Sequence, residues 1–153
     1  MLILPDFLSL KDRWTIREVS QERFDQYEPG RQGTGYFKLF VKDHPRLQWL
    51  IQRSLSILEK PAEDEFWDAW LLRYPSGSYI PRHLDEAEMF GKKHHRMNAI
   101  VDNGGIGGTL VVYNEEITLL SGDAYVFRPD IMPHEVTRVE GQDRLVWSVG
   151  CWK

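Results

Sequence analysis

The clearest hydrophobic pattern in the first half of the chain lies between residues 45 and 60. Apolar side chains recur there three and four positions apart, which places them on one face of a helix. These are Leu47, Leu50, Ile51, Leu55 and Leu58. Pro45 suits the first turn of a helix, and Pro61 stops it. The pattern predicts one amphipathic helix, preceded by a glycine-containing loop at residues 28–35.

Beyond residue 65 the pattern changes from helical to strand-like. Short runs rich in Val, Ile, Trp, Tyr and Phe are separated by Gly, Pro, Asn and Asp, as in strands joined by turns. The predicted strands lie at 67–74, 79–85, 95–102, 109–113, 116–120, 123–128, 134–139 and 143–151. Eight short strands favour a sandwich or barrel, and a double-sheet jelly roll has that number. We expect the preceding helix to cover the outer face of one sheet.

Composition narrows the class of protein without naming it. The 153 residues suit one domain, and the net charge of −4 disfavours nucleic acid as a main partner. No apolar run approaches the roughly 20 residues that span a bilayer, and the start lacks a secretory signal pattern. The single cysteine, Cys151, fits a reducing compartment and a small core residue. We therefore expect a cytoplasmic protein with no membrane partner.

A histidine and an aspartate two positions apart, His83 and Asp85, indicate a metal site. Side chains at i and i+2 of a strand point to the same face, so the two can hold one ion. His134 follows a turn-rich segment and opens a predicted strand, which makes it the best third ligand. Two histidines and one carboxylate leave positions open for other molecules, as in the facial triad of non-haem Fe(II) oxygenases.

The other histidines fit this site less well. His44 lies at the predicted helix start, where a cap or surface role is expected. His94 and His95 lie in the basic run 91–96, and adjacent strand residues point to opposite faces. We expect this run to be mobile or solvated and not to form a second metal site.

Arg144 lies ten residues after His134 on the next predicted strand. Its planar guanidinium can pair a carboxylate bidentately, and a buried arginine facing a metal cavity needs an anionic partner. A dicarboxylate cosubstrate would supply that partner. Arg96 and Asn98 share one face of the strand 95–102. That face either reaches the cavity, where Asn98 is a candidate cosubstrate contact, or is exposed.

Three runs carry a family resemblance: "YPSGSYIPRHLD", "GGTLVVY" and "GDAYVFRPDIMPHEVTRVEGQDR". Together they resemble the 2-oxoglutarate- and Fe(II)-dependent dioxygenases, in particular the prolyl 4-hydroxylase-like branch. The resemblance implies a mainly β (α+β) fold, a double-stranded β-helix or jelly roll with N-terminal helical support. It implies a single catalytic domain over 1–153, with a support region at 1–65 and the jelly-roll core at 66–153.

The resemblance also assigns roles to single residues. His83, Asp85 and His134 match the iron ligands of the family. Arg144 and Tyr74 match the residues that bind the far carboxylate of 2-oxoglutarate. The paired glycines before a core strand are matched by Gly107 and Gly108.

The activity implied is hydroxylation of a C–H bond with O2, Fe(II) and 2-oxoglutarate, releasing succinate and CO2, with ascorbate as a candidate reductant. A prolyl residue, a peptide or an amino acid is the expected substrate. Many prolyl hydroxylases have lysine where this chain has Arg144, which weakens the case for proline. Two alternatives stay open: a non-catalytic jelly-roll module that binds a metal or small molecule, and a cupin-type metalloenzyme without 2-oxoglutarate.

Two further expectations concern the surroundings of the cavity. The segments 28–36 and 86–95 are candidate lids, because loops on a rigid scaffold tend to carry substrate contacts. Trp67, Trp70 and Trp147 are expected in the core.

Overall fold

Two helices form where the sequence supplies a cap and a one-sided apolar face. The computed structural model describes residues 1–85, 88, 89 and 91–153. Helix α1 (Leu10–Glu22) begins with a capping box, in which Ser9 Oγ accepts from the Asp12 N–H and the Asp12 carboxylate accepts from the Ser9 N–H. Helix α2 (Gln48–Ile57) follows a 3-10 turn at Pro45–Leu47. No helix among the described residues is long and apolar enough to cross a membrane.

The strands occupy most of the remaining chain. Those described are β1 (Leu2–Leu4), β2 (Glu28–Pro29), β3 (Phe37–Phe40), β4 (Trp67–Tyr74), β5 (Ile80–His83), β6 (Glu88–Met89), β7 (Lys92–Asp102), β8 (Leu110–Val112), β9 (Glu115–Ile117), β10 (Ala124–Phe127), β11 (His134–Val136) and β12 (Arg144–Trp152). All eight predicted strands are present, with boundaries shifted by a few residues. The sequence pattern missed β1, β2, β3 and β6, which are two to four residues long.

These strands form two antiparallel sheets. The larger has the order β1-β10-β7-β12-β4-β3-β2, with β6 paired to β7, and the smaller has the order β5-β11-β8-β9. The mainly β jelly roll expected from the sequence is confirmed. The residues before 66 supply both helices, and they also supply β1, β2 and β3 to the two edges of the larger sheet.

The central strands of the larger sheet are covered on both faces, which explains why β12 is buried along nearly its whole length. Alternate residues of a strand point to opposite faces. Trp147 and Val149 therefore pack with the helices, while Val146 packs toward the smaller sheet and Ser148 lines the space between the sheets. The same strand thus serves the core on one face and the candidate site on the other.

One polar contact joins α2 to this sheet inside the core. The indole N–H of Trp147 donates to Ser54 Oγ at 3.0 Å, and Ser54 Oγ donates to the Leu50 carbonyl at 2.8 Å. Both side chains are fully buried, so the contact satisfies groups that would otherwise lose their hydrogen bonds to water. It fixes the helix against the strand that carries Arg144.

Removing apolar volume from α2 should destabilise the whole domain. Leu55 is 1% exposed and Ile57 is 38% exposed on the same helix. We expect Leu55→Ala to lower the free energy of unfolding by about 2–5 kcal/mol, the usual cost of a cavity in a packed core. Ile57→Ala is the matched control and should cost much less. Urea denaturation measures both, and equal losses would contradict this packing.

Candidate metal centre and cosubstrate pocket

A cavity of about 680 Å³ lies between the two sheets. Strands of the larger sheet contribute one wall and strands of the smaller sheet the other, with the segment between β2 and β3 at the side. Polar side chains from both sheets line it, including Asp68, Tyr74, Asn98, Tyr125, His83 and His134. A cavity of this size with converging polar groups suits a small molecule.

Strand pairing brings His83, Asp85 and His134 together. His83 ends β5, His134 begins the neighbouring β11, and the register places the two opposite each other. Their rings lie 4.3 Å apart between centroids. Asp85 Oδ1 lies 3.0 Å from His83 Nε2 and 3.8 Å from His134 Nε2. One ligand atom from each of the three residues lies within 4.8 Å of the others.

Both imidazoles present the same nitrogen to Asp85. The Nδ1 atoms of His83 and His134 contact the backbone carbonyls of Pro81 and Met132 at 2.8 and 2.9 Å. A carbonyl only accepts, so each Nδ1 carries the proton and donates it. When the ring is neutral, Nε2 therefore carries the lone pair, the arrangement that metal-bound histidines usually show.

The distances and charges fit a divalent metal ion. Ligand nitrogens and oxygens lie about 2.0–2.2 Å from such an ion, so two of them on one ion lie at most about 4.4 Å apart. The distances of 3.0 and 3.8 Å from Asp85 Oδ1 to the two histidine nitrogens meet this limit. Burial raises the pKa of Asp85, but the hydrogen bond with His83 and the nearby His134 outweigh burial and leave that pKa lowered. Burial lowers the pKa of His134. The cluster thus offers an anionic oxygen and, on His134, a neutral nitrogen. Burial lowers the pKa of His83, but its hydrogen bond to Asp85 outweighs burial and leaves that pKa raised, so metal binding must displace a proton from His83.

Arg144 is a buried cation without a counter-ion in the part of the chain that the structure describes. It is 2% exposed, and its guanidinium carbon lies 5.0 Å from the ring centroid of Tyr74, which lines the cavity. Its Nε has no hydrogen-bond partner, and no carboxylate in the described part of the chain pairs with it. A buried charge of this kind needs an anion from elsewhere.

The predicted glycine pair makes room for this arginine. A Cβ atom at Gly108 would lie 2.7 Å from Arg144 Cδ, and the Gly108 φ of +66° disfavours other residues as well. At Gly107 a Cβ atom would lie 1.9 Å from the Arg138 carbonyl oxygen. Both positions therefore require glycine for steric reasons.

Two tyrosines lie near Arg144. Burial raises the pKa of Tyr74, while the charge of Arg144 opposes this effect, so Tyr74 is a neutral hydrogen-bond donor at pH 7. Tyr125 is also buried with a raised pKa, and its oxygen accepts from Asn98 Nδ2 at 2.9 Å. Its own O–H is therefore free to donate. Asn98 Oδ1 is buried and has no partner among the described residues.

The sequence matches no known family model and no curated protein. Solved structures with the same architecture exist. A prolyl 4-hydroxylase of Pseudomonas putida is 19% identical, with a TM-score of 0.78 over 99% of this chain and 91% of that one. A prolyl hydroxylase of Trichoplax adhaerens, in complex with a peptide fragment of a hypoxia inducible factor, is 15% identical, with a TM-score of 0.79 over 99% of this chain and 82% of that one. The viral collagen prolyl hydroxylase of Paramecium bursaria Chlorella virus-1, in its 2-oxoglutarate complex, is 12% identical, with a TM-score of 0.73 over 99% of this chain and 94% of that one.

The chain has the fold of the prolyl 4-hydroxylases. The likeness spans almost the whole chain, including the residues before 66 for which the sequence offered no relative. At these identities it establishes the fold, and the roles of individual residues rest on the geometry described above.

Within this prolyl 4-hydroxylase fold, the expectation that 91–96 is solvated is wrong for two residues. His94 is 3% exposed and Arg96 13% exposed. Arg96 donates to both oxygens of Asp68 at 3.0 Å and to Ser148 Oγ at 2.9 Å. These residues lie on β7, whose neighbours β10 and β12 bury it, and the charge of Arg96 is neutralised by a partner that is distant in sequence. Arg96 and Asn98 both line the cavity, so the exposed-face alternative is excluded.

The structure also tests the expectations for His44 and for three tryptophans. His44 caps the 3-10 turn, with Nδ1 accepting from the Arg46 N–H, but it is 4% exposed and is not a surface group. Trp147 is in the core, and Trp67 packs against it, whereas Trp70 lines the cavity instead.

Of the two candidate lids, 28–36 contributes Arg31, Gln32 and Tyr36 to the cavity lining. The segment 86–95 falls partly outside the described residues, at positions 86, 87 and 90. Lid function stays a prediction for both segments.

Tyr125 and Asp68 are cavity residues that the sequence reasoning missed. The alternation of β10 places Tyr125 and Phe127 on one face, and this signal could have identified Tyr125. Asp68 became recognisable only through its pairing with Arg96.

Burial of His94 should make the stability of the metal-free protein depend on pH. Burial, assisted by the positive charge of Arg96, lowers its pKa to about 4, whereas an unfolded chain binds that proton near pH 6.5. The stabilisation is thus complete above about pH 6.5 and is lost as the pH falls toward about 4. Between pH 7 and 5, we expect the wild type to lose about 2 kcal/mol more than His94→Phe. Urea denaturation with a chelator present measures this, and parallel losses would contradict it.

Proposed function

We propose that the protein is an Fe(II)- and 2-oxoglutarate-dependent dioxygenase that hydroxylates a C–H bond. The observation that carries this proposal is the position of Arg144 beside the cavity that holds the His83, Asp85 and His134 cluster: it is a buried cation without a counter-ion among the described residues. A simple metal-binding module needs the cluster alone. A buried arginine that packs against Tyr74, a residue lining the same cavity, fits a cosubstrate with a carboxylate far from its metal-binding end.

In this proposal His83 Nε2, Asp85 Oδ1 and His134 Nε2 hold the metal. Fe(II) bound there, with 2-oxoglutarate and O2, supplies the oxidising chemistry that yields succinate, CO2 and a hydroxylated substrate. The Pro81 and Met132 carbonyls fix the two imidazoles, so the ligand nitrogens are oriented before the metal arrives.

Arg144 and the nearby tyrosines bind the far carboxylate of 2-oxoglutarate. The guanidinium offers a planar fork for two carboxylate oxygens. Tyr74 donates its O–H to the same group, and Tyr125 has a free O–H because its oxygen already accepts from Asn98. These donors are fixed by the strands around them, so little side-chain freedom is lost when the anion binds.

Apolar side chains form the rest of the wall around the metal. Phe127 packs edge-on against the His134 ring at 5.0 Å between centroids. Ile80, Leu110 and Val136 complete this part of the lining. An apolar wall excludes water from the reacting centre and limits side reactions of the oxidant.

A prolyl residue in a peptide is the first substrate to test, because the structures of like fold named above are prolyl hydroxylases. A non-prolyl peptide and free amino acids are the next candidates. The direct test incubates the protein with Fe(II), 2-oxoglutarate, ascorbate and O2, alone and with each candidate. Succinate release that a candidate stimulates supports the proposal, and no 2-oxoglutarate consumption with any of them would favour the binding module.

The metal assignment predicts the effect of single substitutions. His83→Ala and His134→Ala each remove one of three ligands, so Mn(II) affinity should fall sharply and turnover should disappear. His95→Ala is the matched control, because His95 lies outside the cluster. Titration of Mn(II) followed by electron paramagnetic resonance measures the affinity. Full affinity in either cluster variant would exclude that residue as a ligand.

Removal of Arg144 should separate cosubstrate binding from metal binding. Leaving one partner of a buried ion pair alone costs about 3–5 kcal/mol, so Arg144→Ala should weaken 2-oxoglutarate binding by roughly two to three and a half orders of magnitude. Arg144→Lys should recover part of the loss, since it keeps the charge and loses the fork. Tyr74→Phe should cost about 1.5–3 kcal/mol, the value of a hydrogen bond to a charged group.

The measurement is calorimetric titration of 2-oxoglutarate into the Mn(II)-loaded protein. Mn(II) affinity is the control and should change little, because Arg144 is not a ligand. Equal 2-oxoglutarate affinities of wild type and Arg144→Ala would contradict the role of Arg144. The proposal would then rest on the metal cluster alone, and the non-catalytic binding module would be favoured.

A further inference from the structure

His94 is a buried histidine that the proposed chemistry does not use. It lies on β7, opposite Trp152 of β12 in the strand register. Its ring stacks on the Trp152 ring, with 4.5 Å between centroids and 9° between planes. Only 3% of the residue is exposed. The ring is therefore held in one orientation by packing.

The hydrogen bond from Arg96 decides which nitrogen of His94 carries the proton. Arg96 Nε donates to His94 Nε2 at 3.3 Å. A guanidinium has donors only, so Nε2 must be the acceptor and carries no proton. Arg96 is itself fixed by Asp68 and Ser148. In the neutral ring the proton must then be on Nδ1.

The Nδ1–H group of His94 faces the metal cluster. This atom is buried and has no hydrogen-bond partner among the described residues. Asp85 Oδ2 lies 4.0 Å away, while Asp85 Oδ1 is the oxygen that faces His83 and His134. A buried donor without an acceptor is costly, and a small shift of the carboxylate would satisfy it.

We infer that His94 is a positioning residue that donates a hydrogen bond from Nδ1 to Asp85 Oδ2 when the metal is bound, leaving Oδ1 as the only Asp85 ligand. The inference rests on the proposed metal centre. A series of polar contacts, Asp68 to Arg96 to His94 to Asp85, then connects the cavity wall to the metal.

Single-oxygen binding by Asp85 has a consequence for the reaction. A carboxylate that bound through both oxygens would occupy one more position on the ion. With His94 holding Oδ2, the three protein ligands occupy three positions and leave the others for the cosubstrate and O2. His94 would thereby keep the metal centre open.

Two substitutions separate hydrogen bonding from packing. His94→Phe keeps an aromatic ring against Trp152 and removes the donor. His94→Asn loses the ring but places an amide N–H₂ close to the position of Nδ1. We expect His94→Phe to weaken Mn(II) binding about 10- to 100-fold, as is typical when a partner of a metal ligand is removed. His94→Asn should recover most of that loss, and His95→Phe, the matched control, should bind like the wild type.

A second measurement does not depend on any variant. Nitrogen-15 NMR of the Zn(II)-loaded wild type should show His94 protonated at Nδ1 and bare at Nε2. Protonation at Nε2 would overturn the inference, and so would wild-type Mn(II) affinity in His94→Phe. Wild-type affinity in His94→Phe with a loss in His94→Asn would assign His94 a packing role only. Equal losses in both variants would also overturn the inference, because the amide N–H of His94→Asn should restore the hydrogen bond. Failure of the wild type to bind Mn(II) or Zn(II) would instead overturn the metal centre itself.

Discussion

The candidate site depends on the register between two short strands, β5 and β11. That register places His134 opposite His83, and Asp85 follows two residues later. Because side chains alternate along a strand, a slip of one residue would turn one histidine away from the cavity. The hydrogen bonds of the two imidazoles to the Pro81 and Met132 carbonyls depend on the same local backbone. One pairing thus fixes both the position of the cluster and the nitrogen that each ring presents.

The buried charges around the cavity fall into two groups. Arg96 is neutralised by Asp68 within the protein. Arg144 is more deeply buried and has no such partner among the described residues. Buried ions are normally paired, so the difference supports the proposal that Arg144 binds an anionic ligand, whereas Arg96 stabilises the cavity wall. Gly108 supports this distinction, since the space that it leaves is occupied by the Arg144 side chain.

Most of the helices and strands could be predicted from the sequence because the patterns that indicate them are local. The apolar runs of β7 and β12 form because both faces of these strands are covered. The helical spacing of α2 reflects the covering of one face. Helix α1 was missed because few apolar residues are buried along it, although Ser9 and Asp12 form a capping box that the sequence contains. The short strands β1 and β3 form because a sheet edge is present to pair with them, which no local pattern encodes.

Within the site, the predicted residues were those recognisable from spacing along the chain. The His83 and Asp85 pair and the glycines before β8 are examples. The prediction for His94 was wrong because a run of basic residues is expected to be solvated, unless other parts of the chain neutralise and cover it. Asp68 neutralises Arg96 from 28 residues away, and Trp152 covers His94 from another strand. Such contacts are decided by tertiary structure, and the sequence contains no spacing rule for them.

The central claim is that one cavity holds a metal at the His83, Asp85 and His134 cluster and a dicarboxylate that extends to Arg144. A crystal structure of the protein grown with Mn(II) and 2-oxoglutarate tests it most directly. The account predicts an anomalous scattering peak between the three ligand atoms and continuous density from that peak to the Arg144 guanidinium. A metal bound elsewhere, or 2-oxoglutarate that leaves Arg144 without a partner, would contradict it.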